Sequence, residues 1–184
     1  MKKLFVLAAF ILLGATAVNA QQNVVKVNPL ALLGGSDLVS YERAFGEKTS
    51  GIISGAVGGF KIGDVKYKSA GAGLQFRYYF DEVLSGWYGG AIADYQSGTV
   101  ESESTTFTFD GDVSTESDDF DFSSFGGGLK IGHQWVWDSG FTLDLNLGAS
   151  YKSFDYDLND PQEEERYKAS GVLPTFGFGL GYAF

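Results

Sequence analysis

With 184 residues, 23 acidic against 13 basic side chains and a formal net charge of −10, the chain suits one domain and is a poor partner for nucleic acid, whose affinity rests on Lys and Arg. It has no cysteine, which excludes a disulfide framework and a lipid anchor attached through Cys. With 26 Gly, 16 Phe and 10 Tyr against 3 Pro, it favours long, aromatic-rich strands.

Residues 1–20 read as a secretory signal peptide: Lys2 and Lys3, then LFVLAAFILLGATAV, then the small-residue pattern Val18-Asn19-Ala20 before Gln21. The apolar stretch is about 15 residues, short of the ~20 that a membrane helix needs. Residues 21–184 then form one domain. No later segment is apolar enough for a membrane helix, so entry into a membrane would require a closed barrel.

A period of two is a strand period, because successive side chains point to opposite faces. Weak alternation predicts strands over 24–33, 37–45, 52–62 and 87–95, and stronger alternation over 71–80, where Leu74, Phe76, Tyr78 and Phe80 face away from Gly73, Gln75, Arg77 and Tyr79. The strand 122–137 sets Leu129, Ile131, His133, Trp135 and Trp137 against Gly126, Gly128, Lys130, Gly132 and Gln134. In 141–152, Phe141, Leu143, Leu145, Leu147 and Tyr151 oppose Thr142, Asp144, Asn146, Ser150 and Lys152. The strand 172–184 alternates Phe176, Phe178, Leu180, Tyr182 and Phe184 with Gly177, Gly179, Gly181 and Ala183. The expected fold is therefore all-β, an eight-stranded antiparallel up-and-down transmembrane barrel.

Short connections at 46–51, 81–86 and 138–140 alternate with others that include two long ones, 96–121 and 153–171. Short turns on one side and long loops on the other mark outer-membrane barrels. The polar face decides which side is out. It is built of Gly, Ser, Thr, Asn, Gln and a few charges, which suit the narrow interior of eight strands rather than a water-facing surface. Trp87, Trp135 and Trp137 fall at the short-turn side, Tyr95 and Tyr151 at the other, as two aromatic girdles. From Phe141 to Tyr151 is roughly 25 Å along the axis at ~3.3 Å rise and ~40° tilt, the height of an apolar band in such barrels.

The ending GLGYAF resembles the C-terminal strand signal of bacterial outer-membrane barrels, which the assembly machinery reads; here Phe176, Phe178, Leu180, Tyr182 and Phe184 carry it. Separately, KVNPLALLGGSDLVSYERAF (26–45) resembles the first hairpin of a family of small Gram-negative outer-membrane barrels, through Asn28-Pro29-Leu30, Gly34-Gly35 and Tyr41-Glu42-Arg43. The resemblance implies a porin-like fold and an outer-membrane address among lipids and lipopolysaccharide, as a monomer. It implies no reaction and no cofactor.

Glu42, Arg77, Gln134 and Asp144 sit about three residues in from the short-turn ends and are expected to form one polar layer across the interior. Asp94 and Lys130 are expected to pair further in. Lone buried ions cost several kcal/mol, so such charges must pair. His133, the single histidine, lies on the lipid-facing set beside Trp135, and no Ser–His chemistry has another base. An enzyme is not expected. The acidic stretches 96–121 and 153–171 are expected to be exposed loops. Within the first, Asp110, Asp112 and Asp121 take the first, third and twelfth places of a calcium-like loop, but Thr115 stands where Gly is required, which leaves weak divalent binding at most. The reading of function is a non-enzymatic outer-membrane barrel, its lumen plugged by side chains, acting through these loops. The alternative is a soluble periplasmic or secreted barrel with an apolar ligand inside, lined by Phe176, Phe178 and Leu180.

Overall fold

The structure, a computed structural model, describes residues 21–33, 37–63, 65–107, 113–158 and 166–184. Residues 1–20, expected to be a signal peptide, the expected turn at Gly34-Gly35, Asp110 and Asp112 lie outside them. Among the described residues eight strands follow in chain order: β1 (Asn23–Val27), β2 (Val39–Ala44), β3 (Thr49–Ile62), β4 (Val65–Tyr79), β5 (Gly86–Phe107), β6 (Val113–Val136), β7 (Phe141–Leu158) and β8 (Arg166–Ala183). Each pairs antiparallel with its neighbour in sequence, and β1 pairs with β8, which closes the sheet into a barrel.

The first predicted strand, 24–33, is half wrong. β1 stops at Val27, and Pro29–Leu33 form a 3-10 turn, α1. Pro29 has no N–H for a ladder, and the Asn28 side-chain carbonyl accepts from the Leu30 amide at 3.1 Å, so the local turn wins. α1 lies against the inner wall of β3. A Cβ on Gly58 would come within 2.9 Å of the Leu32 carbonyl oxygen, so only glycine allows this approach.

The predicted loops 96–121 and 153–171 are largely strand. β5 and β6 stay in register from Gly86↔Gln134 out to Phe107↔Val113, and β7 and β8 from Phe141↔Tyr182 to Asp157↔Arg166. The sequence there has no regular apolar alternation, but its Thr, Val, Phe and Tyr still favour extended backbone. Tyr95 and Tyr151 therefore sit inside strands rather than at their ends.

The two faces of the ring are opposite in character. Outside, Val57, Leu74, Phe125, Leu129, Leu147, Val172 and Phe176 are all exposed, the last by 69 %. Inside, Glu42, Arg77, Gln134, Asp144 and Ser150 are 0–2 % exposed. On β8 the inward positions are the glycines: a Cβ on Gly177 would strike the Asn146 amide, and one on Gly179 would touch Asp144 and Lys26.

Candidate functional site

The short-turn end of the barrel is closed by a floor of buried polar side chains from seven strands. Lys26 Nζ donates to Glu42 Oε2 at 2.6 Å, Gln134 Oε1 at 2.8 Å and Asp144 Oδ2 at 2.9 Å. Arg77 Nη2 donates to Asp144 Oδ2 at 2.6 Å, and its Nη1 reaches Gln134 Oε1 at 3.1 Å and Glu42 Oε2 at 3.3 Å. The second oxygen of Glu42 accepts from Ser50 at 2.5 Å and Tyr79 at 2.7 Å, and that of Asp144 from Tyr88 at 2.7 Å. The Arg77 guanidinium also lies 3.9 Å from the centre of the Tyr88 ring. Two cations face two carboxylates, and every carboxylate oxygen has a partner, which is what offsets the cost of burying four ions.

The structure thus brings Glu42, Arg77, Gln134 and Asp144 together. It adds Lys26, Ser50, Tyr79 and Tyr88, which sequence reasoning missed. Tyr79 has the parity of Arg77 and Tyr88 the parity of Asp94, so alternation could have placed both. Lys26 was hidden because β1 is five residues long and its pattern is too short to fix a register.

Beneath this floor the β4–β5 turn folds back over the barrel mouth. Leu84 takes a left-handed backbone conformation (φ 67°), accepts from Gln134 Nε2 at 2.8 Å and packs with Val24 and Ala183. That turn, read only as a short connection, is a stopper.

Asp94 and Lys130 do not pair. Asp94 accepts from Lys152 Nζ at 2.6 Å, because β7 carries Lys152 to the level of Gly126, the β6 partner of Asp94. Shear between strands moves side chains relative to a count from the strand ends. Lys130 instead lines a cavity of about 640 Å³ above the floor, together with Ile52, Gln75, Ile92, Asn146 and Thr175. The plugging of the lumen is therefore confined to its short-turn end.

His133 sits on the outer wall between Trp87, edge-on at 5.1 Å, and Trp135 at 4.1 Å. Trp137 lies near Phe141, ring centres 5.3 Å apart and tilted by 32°. Asp121, the described member of the calcium-like set, accepts from Thr99 at 2.7 Å on the projecting part of the β5–β6 hairpin. Beside it on β4, Lys66 and Lys68 grip Glu101 at 2.8 and 2.5 Å and hold its carboxyl well below its usual range, at about 2.

Residues 5–182 match the family described as "Protein of unknown function (DUF3575)". No curated protein and no solved structure matches the chain.

Proposed function

The chain belongs to that family of unknown function, which has no activity to hand on, and from its own geometry we propose that it is an integral outer-membrane barrel. It is non-enzymatic and monomeric, with its large side chains in lipid and its polar side chains in the lumen. The observation that carries this reading is the inversion of the two faces: a belt of exposed Val, Leu, Phe and Tyr surrounds a buried ion network. A ring closed by β1–β8 pairing leaves no open strand edge, as the hydrocarbon region requires. Trp87, Trp135 and Trp137 at one level and Tyr95 and Tyr151 at the other fit the two interfaces.

On this reading residues 1–20 direct export, Phe176 to Phe184 recruit the assembly machinery, and the short-turn end faces the periplasm. The β5–β6 and β7–β8 hairpins project past lipopolysaccharide to serve envelope integrity or surface contact. The charged floor and the Leu84 stopper should deny large ion currents, and a stable, large single-channel conductance would contradict this. The soluble alternative needs Phe176 and Leu180 around an internal ligand, and the inward glycines of β8 argue against it.

The test is a fractionation of expressing cells, with the membrane fraction run on a denaturing gel before and after boiling. A heat-modifiable band in the outer-membrane fraction is expected. A soluble protein whose migration ignores boiling would refute the proposal.

A further inference from the structure

The cavity above the floor has a chemistry that a plugged structural barrel does not need. Two successive levels of the wall can be followed around the ring by strand pairing. One runs Ser50, Arg77, Gly90, Lys130, Gly148 and Thr175; the next runs Ile52, Gln75, Ile92, Gly128, Ser150 and Leu173. On the first, Gly90 and Gly148 flank Lys130 and leave it room. On the second, Gly128 separates Ile92 from Ser150.

Hydrogen-bonding capacity is left over here. Among the described residues Lys130 makes no ion pair, whereas Lys26, Arg77 and Lys152 do. Gln75 Nε2, Thr175 Oγ1 and the buried Asn146 Oδ1, all lining the cavity, have no partner among the described residues. A primary ammonium, an amide N–H and a hydroxyl offer donors, and a carboxylate is a group that only accepts. Asn146 can turn its amide to present N–H as well. On the same level Ile52 and Ile92 flank Gln75 and give the wall its apolar part. The way out runs between Tyr67, Phe122, Phe154 and Tyr156 at the end away from the floor. A volume of 640 Å³ is that of a site for a small organic molecule.

We propose that this cavity binds a small organic monocarboxylate, its anionic end at Lys130 and Gln75 and its apolar body along Ile52 and Ile92. Of the described cations that line the cavity, Lys130 alone makes no ion pair, and the Asp37 carboxylate, which also lines it, accepts from Asn28 Nδ2 at 3.1 Å. The floor, neutral in its own four charges, serves as the bottom of the site and repels neither end of the ligand. The aromatic side chains at the exit suit an aryl or alkyl body that extends toward the mouth. Such a ligand enters from the projecting hairpins, since Leu84 and the floor close the other end.

The full chain, folded in detergent micelles, is titrated calorimetrically with 4-phenylbutyrate and with its neutral amide, 4-phenylbutanamide. The carboxylate is expected to bind at least about tenfold more tightly than the amide, a difference set by one charge contact. Lys130→Gln should abolish that preference and leave the amide unaffected, while Lys130→Arg retains it. Unboiled gel migration verifies that each variant is folded. Should Lys130→Gln fail to fold, the native protein is read by NMR, where nuclear Overhauser contacts from the probe ring to the Ile52 and Ile92 methyls are expected. Equal binding of acid and amide, a preference that survives Lys130→Gln, absence of those contacts, or heats no larger than those of protein-free micelles would each overturn the proposal. The cavity would then hold water alone.

Discussion

Two sets of Lys–carboxylate contacts in this barrel have nearly equal lengths and very different settings. In the floor, Lys26 meets Glu42 at 2.6 Å with both side chains at most 4 % exposed. On the projecting strands, Lys66 meets Glu101 at 2.8 Å with the lysine 43 % exposed. Distance alone would rank them together. Solvent separates them: removing one partner of a buried set strands the other charge, whereas water and salt replace an exposed partner at little cost. The floor therefore holds the ring in one geometry, and the outer pairs merely trim the hairpin.

Breaking the floor should have the largest effect. Arg77→Met leaves Glu42 and Asp144 with Lys26 alone, and a loss of about 3–5 kcal/mol is expected; denaturant unfolding followed by tryptophan fluorescence measures it. Next comes the lipid face. Leu147→Arg, in the middle of the exposed belt, should cost about 2–4 kcal/mol when the protein is unfolded from lipid vesicles. The same change in a water-facing belt would cost almost nothing, so this variant also sharpens the membrane reading.

Gly132→Ala should follow at about 1–3 kcal/mol. Its Cβ would lie 2.5 Å from the Tyr88 ring, and displacing that ring loosens the bond to Asp144. The smallest effect belongs to Glu101. Its carboxyl is held at about 2, below the usual 4.5, so its contribution is fully present above pH 4.5 and disappears as the pH falls through about 2. Amide exchange of the β4–β5 ladder near Lys66 should speed up across that window, and Glu101→Gln should remove the pH dependence without disturbing the floor.

Alternation showed β4, β6, β7 and β8 well wherever one face had to be apolar. Leu143, Leu145 and Leu147 leave no doubt about β7, and Glu42, Arg77, Gln134 and Asp144 of the charged layer followed from parity and height, while Lys26 did not. It failed where that demand ends. Beyond Tyr95 and Tyr151 the outward face is no longer regularly apolar, so the alternation does not distinguish a projecting strand from a loop. It also failed where a local bond competes, as at Asn28-Pro29. Lys130 was assigned the wrong partner because counting from strand ends ignores shear, and the cavity that results has no signature in the sequence at all. Tyr79 and Tyr88 carried a readable parity but not a readable destination, and Ser50 fell in the predicted connection 46–51.

The central claim is that the large face meets lipid. The chain has no cysteine, so single cysteines at positions 143 to 150 of β7 can each carry a spin label without background. In lipid vesicles, relaxation by oxygen should be strong at Leu143, Leu145, Leu147 and Ala149 and weak at Asp144, Asn146, Gly148 and Ser150. A polar nickel reagent should fail to reach the first set. If the outward positions instead respond to the nickel reagent as freely as water-exposed sites do, the belt faces water and the account is wrong.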